Sequence, residues 1–447
     1  MSSSLQQFQH PTPAPGPPKT TRFCWLETPF SVLYGMLLGL ALLKFGNPVI
    51  LDRLIDKPED LSQMVFYPWP ARWGQLGLLG VSLLGLVFVR FRLPSHRWLA
   101  ALPLLWFGWQ LCASTQTVDP SLTHATILHF ATCLACFGLG LFVLKSPGHL
   151  LALVAGLLPF FLWMVSTGFE QHYGGLDATE RMIRETPNWQ QAYPPEYLER
   201  IAKKRVFATL VYPNALAGVV LLQLPILLVA TWHLTARLTR VSRMLCVALL
   251  AYVALACLVW SGSKSGWLIA LTVALFALIH QPLSRRLKVL LVGTVCVVGL
   301  AGFAVKFAPY FRKGATSVGA RFEYWRAAAT TALEHPWLGT GPGTFARSYA
   351  KIKPPEAEMA KLVHNDFLEQ ASDSGVLGFL TYAGFWWSSI VCLYRKSVTN
   401  RSGLEFAVWL GLLGWCLQSF SEFGLYIPAL AWPAFTLVGW LSAREME

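Results

Sequence analysis

The chain has 447 residues, of which 54% are hydrophobic and only 13% are charged, and its mean hydropathy is +0.47. About a quarter of the residues of a soluble domain are charged, so this composition excludes an ordinary soluble fold and indicates an all-α polytopic membrane protein. The formal net charge of +13 does not indicate nucleic-acid binding, because most of the excess lies in short loops between apolar runs.

The apolar runs predict about twelve transmembrane helices, since a helix needs about 20 apolar residues to cross a bilayer. Residues 1–28 precede them and are predicted to form a disordered cytoplasmic tail, because this stretch begins rich in Ser, Gln and Pro and lacks the apolar core of a signal peptide. Nine helices are predicted within 29–305 and three within 374–447, which ends in a short cytoplasmic tail. In chain order they are 29–44, 73–89, 98–113, 123–144, 149–166, 212–232, 244–260, 266–279, 287–305, 375–394, 404–420 and 427–441.

The distribution of Lys and Arg predicts the orientation of the chain. Basic residues cluster in short loops on one side, and the positive-inside rule places that side, together with both termini, in the cytoplasm. These clusters lie at 90–97, 145, 237–243, 285–288 and 395–401. Three longer loops, 45–72, 167–205 and 306–373, are therefore predicted to face outward. The last is predicted to be a large helical extracytoplasmic loop between the ninth and tenth helices.

Arg205 is the first candidate for a functional role. It ends a basic cluster at 203–205 that lies on the outer side, against the positive-inside bias, shortly before a helix. A cation at the outer membrane edge is well placed to meet a lipid-linked phosphate, whereas the alternative is an interfacial anchor. Asn214 follows in the first helical turn, where it is predicted to satisfy backbone groups freed by Pro213.

Lys264 is the second candidate, and it lies in the turn 261–267 between two apolar helices. It is the only cation in any short outer loop. The two glycines and three serines of the turn leave backbone amides accessible to an anion, which favours contact with phosphate. The turn is not a nucleotide-binding P-loop, because the spacing GxxxxGK[ST] and a preceding strand are missing. The alternative is a tight turn with a solvated Lys.

The outer loop 306–373 contains two further candidates. Apolar residues recur at helical spacing around Arg321, which predicts an amphipathic helix. Farther along, His364 is followed by Asn365 and Asp366, close to the next membrane entry. A neutral imidazole there could accept a proton from an attacking hydroxyl, although an isolated His is more often structural or solvated.

A metal site is not predicted. No Asp-x-Asp sequence occurs in an outer loop, and the nine cysteines lie in or beside apolar runs. The placement of the cysteines excludes a loop disulfide framework and a Cys-based zinc site. The site is therefore predicted to work without a metal or a cofactor.

The order of these motifs resembles the O-antigen ligase family, which also includes Wzy-type polymerases and bacterial protein O-oligosaccharyltransferases. The matching features are the stretches 205–218 and 261–267, the helix at 321–325, and the run 364–368 that leads to 375–378. Together with the twelve-helix layout, the resemblance covers roughly residues 75–440. It implies a GT-C-like glycosyltransferase of the bacterial inner membrane. Such an enzyme moves a glycan from a polyprenyl-diphosphate carrier, such as undecaprenyl diphosphate, to an acceptor hydroxyl on the periplasmic face.

The resemblance also implies roles for individual residues. Arg205 and Lys264 would bind the donor diphosphate, and His364 would activate the acceptor hydroxyl or otherwise assist its attack. Arg321 is grouped with the diphosphate-binding residues, although it could support either the diphosphate or the acceptor. The supporting residues would be Asn214, Asn365 and Asp366. One departure concerns Lys264, because the family commonly carries Arg at this position and Lys cannot offer a planar bidentate fork.

Several functions stay open at this point. A ligase, a polymerase and a protein transferase would share the donor site and differ in the acceptor. A small-anion permease is the alternative from another class, but it should place ionisable groups near the middle of the membrane. Arg205, Lys264 and His364 map to the outer edge instead, which favours the enzyme. The predicted partners are the lipid-linked glycan, a lipid or saccharide acceptor and membrane lipids, but not nucleic acid.

Overall fold

The computed structural model of the protein describes residues 24–89, 97–186, 189, 198, 201–312, 314–355, 357–399 and 403–444. Most of the predicted tail 1–28, the basic residues at 90–96 and much of the stretch 187–200 lie outside these ranges. Within them the chain is helical and has no β-strand, as the apolar runs predicted.

The described residues form sixteen α-helices. In chain order they are α1 (Glu27–Lys44), α2 (Leu61–Phe66), α3 (Ala71–Gly85), α4 (Arg97–Ala113), α5 (Pro120–Phe142), α6 (Pro147–Glu170), α7 (Leu176–Glu185), α8 (Pro213–Leu234), α9 (Arg240–Trp260), α10 (Lys264–Ile279), α11 (Arg285–Arg312), α12 (Thr316–Glu334), α13 (Phe345–Ile352), α14 (Asp366–Thr399), α15 (Leu404–Gln418) and α16 (Pro428–Ala443). Each of the twelve predicted membrane segments overlaps one of them.

Seven helical stretches within the described ranges are long and apolar enough to cross a membrane. They are Ala71–Phe88, Pro120–Phe142, Pro147–Glu185, Pro213–Leu234, Arg240–Trp260, Arg285–Arg312 and Asp366–Arg395. Two more helices, α10 and α15, are apolar but shorter. The chain is thus a multi-pass membrane protein, while the count of twelve spans and the sidedness of the loops stay predictions.

Glycines lie where the central helices approach each other most closely. Helix α1 packs along α6, and α5 packs along α16. A Cβ on Gly156 of α6 would lie 2.2 Å from the carbonyl oxygen of Val32 in α1, and one on Gly439 of α16 would lie 2.2 Å from that of Phe137 in α5. Small residues let membrane helices come close enough for backbone contact. These two positions therefore accept only glycine unless a helix moves.

The helix boundaries differ from the predicted ones at two of the loops that were predicted to face outward. Helix α6 extends to Glu170 and α11 extends to Arg312, so both enter stretches that were predicted as the loops 167–205 and 306–373. The amphipathic helix expected around Arg321 is α12. Polar and charged residues at the helix ends lower the local hydropathy, which is why the apolar pattern ends before the helix does.

Helix α14 shows the largest difference, because it begins at Asp366 rather than at residue 375. Its first turns carry Glu369 and Asp373, which are fully buried. The helix bends at Gly375, where φ is +71°, a value in the left-handed region that favours glycine. Hydropathy misses these turns, because their polar side chains are covered by protein instead of lipid.

Several helix ends meet at one end of the bundle. The side chain of Gln418, which ends α15, donates a 2.8 Å hydrogen bond to the backbone oxygen of Asn214 at the start of α8. The amide of Asp366, which begins α14, donates a 2.8 Å bond to the backbone oxygen of Ser419. The residues singled out in the sequence lie at or beside these helix ends.

Candidate active site

Arg205 joins the start of α8 to the turn before α10. Its Nε donates a 2.8 Å hydrogen bond to the backbone oxygen of Ser261, and its Nη2 donates a 2.9 Å bond to Oδ1 of Asn214. The Nδ2 of Asn214 in turn donates a 2.7 Å bond to Oε1 of Glu422. The side chain of Asn214 therefore bridges two charged groups, which differs from its predicted role of satisfying backbone groups near Pro213.

Glu422 is the centre of the site, and sequence reasoning missed it. It lies between α15 and α16, is 5% exposed, accepts a hydrogen bond from Nη2 of Arg321, and places Oε2 3.3 Å from Nδ1 of His364. Burial by itself raises the pKa of Glu422, but the charge of Arg321, the hydrogen bond from His364 and the charge of Arg205 outweigh it, so the pKa is lowered from its usual range. The carboxylate thus stays ionised and holds the surrounding cations.

One sequence signal could have pointed to Glu422. It is the only Asp or Glu between the predicted helices 404–420 and 427–441. A buried carboxylate is stable only when cationic or hydrogen-bonding partners surround it. Those partners come from distant parts of the chain, so the sequence alone did not show that this residue is buried.

His364 is held rigidly at the inner end of the loop. Its backbone has φ of +57°, in the left-handed region that residues other than glycine enter at a cost of about 1–2 kcal/mol. Its ring stacks on Tyr324 with centroids 6.0 Å apart and meets Phe423 edge-on at 4.7 Å, and its carbonyl oxygen accepts a 3.4 Å bond from Nε1 of Trp325. Since Nδ1 faces Glu422, Nε2 is the ring nitrogen left for a reactant.

Asn365 and Asp366 support this arrangement through the backbone. Oδ1 of Asn365 accepts hydrogen bonds from the amides of Phe367 (3.0 Å) and Leu368 (3.1 Å), so Asn365 caps α14. Oδ2 of Asp366 accepts a 3.2 Å bond from the amide of Leu425, in the segment that follows Glu422. The two residues thus tie the start of α14, which follows His364, to the segment that follows Glu422.

Lys264 lies in the turn 261–267, which is predicted to face outward, ahead of the predicted apolar segment 266–279. Its Nζ sits 3.6 Å from the ring centroid of Tyr310 and 5.5 Å from that of Phe307, both on α11. Burial lowers the pKa of Lys264 to about 8, and the charges of Arg205 and Arg321 add to the effect. The structure therefore brings the three predicted diphosphate-binding cations close enough to interact electrostatically. Lys264 is the only one of the three that can lose its positive charge near neutral pH.

This lowered pKa predicts a pH effect on activity. With Lys264 in its predicted role at the donor diphosphate, we expect kcat/KM for an anionic donor to fall as the pH rises above about 8, because Lys264 attracts an anion only while it is protonated and kcat/KM reports the free enzyme. Arg stays protonated in proteins, so Lys264→Arg should retain activity at neutral pH and lose this alkaline decline. Initial rates at low donor concentration on both sides of pH 8 check this, and an unchanged decline in Lys264→Arg would contradict it.

His364 also lines an open cavity of about 1650 Å³. The cavity lies between the predicted outer loop 45–72, the end of α6, the segment 207–212 and the segment 358–364. None of Arg205, Lys264 and Arg321 is among the described residues that line it. His364 therefore stands between a cationic cluster on one side and a large open space on the other.

The arrangement offers anion binding and proton transfer at neighbouring positions. Among the described residues, no group of three or more His, Cys, Asp or Glu side chains is placed to hold a metal ion. Metal independence stays a prediction, as do the catalytic and binding roles of the individual residues.

Comparison with known proteins adds one finding. The family model described as O-antigen ligase matches residues 249–383, which run from α9 into α14. No curated protein shows a significant match to the chain. The family match supports an O-antigen ligase-type or related membrane glycosyltransferase. The resemblance to the O-antigen ligase family, first seen in the order of the motifs, is thereby confirmed over a segment that contains Lys264, Arg321 and His364.

Proposed function

We propose that the protein is a glycosyltransferase of the bacterial inner membrane that moves a glycan from a polyprenyl-diphosphate carrier to an acceptor hydroxyl on the periplasmic face. The observation that carries this proposal is the arrangement around the buried carboxylate of Glu422, which contacts Arg321 and His364 directly and Arg205 through Asn214. Lys264 lies close enough to interact electrostatically with the same carboxylate. The reaction needs both parts of this arrangement, because a diphosphate must leave while a hydroxyl loses its proton.

The cationic cluster suits a diphosphate. Arg205, Lys264 and Arg321 carry three positive charges at neutral pH, and Glu422 offsets one of them. The net charge of about +2 that remains matches a doubly substituted diphosphate, which carries about two negative charges. When the glycan leaves its carrier, negative charge grows on the leaving oxygen, so fixed cations at a partly dehydrated site stabilise the transition state more than the bound donor.

His364 and Glu422 suit activation of the acceptor. With Nδ1–H donated to the carboxylate, Nε2 carries the lone pair and can take the proton of the attacking hydroxyl. The acceptor oxygen then forms a bond to the anomeric carbon, the bond from that carbon to the lipid diphosphate breaks, and its electron pair goes to the diphosphate. Glu422 stabilises the imidazolium that forms.

A ligase, a Wzy-type polymerase and a protein O-oligosaccharyltransferase all fit this chemistry, since they differ in the acceptor. The small-anion permease is less well supported. Its ionisable groups should lie along a path through the membrane, whereas Arg205 precedes α8, Lys264 begins α10 and Glu422 follows α15.

A reconstituted system tests the proposal. The purified full-length protein in liposomes should transfer glycan from an undecaprenyl-diphosphate-linked donor to an acceptor and release undecaprenyl diphosphate in equal amount. A glycolipid, the repeat-unit donor itself and a Ser-containing peptide would serve as acceptors for the three possible activities. Flux of inorganic anions across the liposomes without transfer to any acceptor would instead support the permease.

A further inference from the structure

The cavity beside His364 has a preformed outer wall. Nζ of Lys44 donates a 3.2 Å hydrogen bond to the backbone oxygen of Tyr67 and lies 5.4 Å from the ring centroid of Trp69. Oδ1 of Asp52 accepts a bond from the amide of Ala71. These contacts hold the lining stretch 65–68 in place. This wall of the cavity is therefore held by contacts within the protein.

The charge of the lining differs in sign from that of the donor site. Four carboxylates line the described part of the cavity, from Asp56, Glu59, Glu170 and Glu358, against two ammonium groups, from Lys57 and Lys361. A cleft lined mostly by one sign of charge repels ligands of the same sign, and such a mismatch costs several kcal/mol when the charges meet closely. The cavity thus disfavours a phosphorylated or carboxylated ligand.

Aromatic rings contribute to the remaining lining, together with a larger number of aliphatic side chains. Phe66, Tyr67 and Trp163 expose 73%, 60% and 51% of their surface, and Tyr324 and Phe423 flank His364 at the inner end. Aromatic faces pack against the apolar faces of sugar rings, while carboxylates accept hydrogen bonds from sugar hydroxyls. At about 1650 Å³ the cavity also exceeds the about 300–1,000 Å³ of a usual small-molecule site. It has room for several sugar units.

We propose that this cavity is the acceptor subsite and that it takes an uncharged oligosaccharide, with one hydroxyl directed at His364. The assignment of the cavity to the acceptor rests on the proposed glycosyl transfer. The chemical class of the ligand rests only on the residues that line the cavity. The part of the acceptor that enters the cavity therefore carries no negative charge, which excludes a phosphorylated glycolipid core from this space.

Binding without a donor tests the class of ligand independently of catalysis. The probes are fluorescently labelled neutral tetra- to hexasaccharides of glucose, mannose and galactose, each paired with a singly phosphorylated derivative. They are titrated onto the full-length protein in nanodiscs. The best neutral probe should bind at least about tenfold more tightly than its phosphorylated partner at low ionic strength, and added salt should narrow the difference.

Variants locate the effect in the cavity. The double variant Glu59→Gln/Glu170→Gln should narrow the difference in affinity between the neutral and the phosphorylated probe of a pair. Lys57→Gln removes a positive charge from the cavity lining and should widen that difference. Trp163→Ala should weaken both members of a pair alike, because stacking does not depend on the charge of the sugar. Equal or tighter binding of the phosphorylated probes, or no binding of any probe, would overturn the proposal.

A transfer assay separates this inference from the proposed function. Transfer to the phosphorylated probes in preference to the neutral ones would leave the glycosyltransferase intact and overturn the inference. Selective binding of neutral probes without transfer of glycan to any acceptor would support the cavity's ligand class and count against the proposed function.

Discussion

Replacing His364 by alanine is expected to lower kcat for glycan transfer by about 10²–10⁴-fold, the usual contribution of a general base. The reason is geometric: Nδ1 is 3.3 Å from Oε2 of Glu422, which leaves Nε2 to take the acceptor's proton. Binding of the donor should change little, because the cations that meet the diphosphate stay in place. Initial rates with the reconstituted protein, together with a separate donor-binding measurement, check both parts.

Two controls separate loss of the base from loss of structure. His364 has φ of +57°, and Asn tolerates this region better than other residues besides glycine. His364→Asn should therefore keep the backbone conformation and still lose activity. His335→Ala replaces an exposed histidine of the same predicted outer loop and should leave the rate nearly unchanged. Full transfer by a folded His364→Asn variant would exclude His364 as the base.

Replacing Glu422 by glutamine is expected to lower kcat by about 10²–10⁴-fold, the range for loss of the carboxylate that orients a catalytic histidine. The side-chain amide of the new glutamine could donate a hydrogen bond to Nδ1 of His364 and so favour the tautomer whose Nε2 is already protonated and cannot act as a base. The substitution would also leave Arg321 and Asn214 without their charged partner. The KM for the donor should rise as well, because the cation cluster loses its fixed centre. Removing one partner of a buried ion pair also lowers stability by about 3–5 kcal/mol.

Glu405 provides a matched control for Glu422. It is 1% exposed and pairs with Arg444 at 3.3 Å, at the opposite end of α15. Glu405→Gln should lower thermal stability in the same way but leave kcat per folded molecule unchanged. In the double variant His364→Ala/Glu422→Gln, the loss of kcat should be smaller than the product of the two single losses, since Glu422 acts on the rate partly through the imidazole. Additive losses in the double variant would show that Glu422 acts independently of His364.

The lysine at position 264 fits its surroundings in a way that the resemblance did not predict. The family commonly carries Arg there, whereas here the ammonium group lies 3.6 Å from the ring centroid of Tyr310. An aromatic ring can hold a compact ammonium group by a cation–π interaction, which does not require the planar, forked set of donors that Arg offers. Burial beside Arg205 and Arg321 lowers the pKa of Lys264 to about 8, so we expect a pH dependence of donor binding that Arg would not confer.

The sequence by itself determined the helical class, the approximate positions of the helices and the order of the candidate residues. Apolar runs and basic loops are local patterns, and a membrane imposes them directly on the chain. The position of His364 before a helix, and the cations at 205, 264 and 321, could be seen in the same way. Helix α14 was placed too late, because the buried polar residues in its first turns give no apolar signal.

Only the tertiary structure decided what surrounds these residues. Glu422 is separated along the chain from His364 by 58 residues, from Arg321 by 101 and from Asn214 by 208, so no local pattern announces the contacts that keep its carboxylate buried and ionised. The bridging role of Asn214 and the acidic, aromatic cavity depend on the same long-range packing. The sequence therefore supplied the chemical groups, and the fold decided which of them share one low-dielectric site.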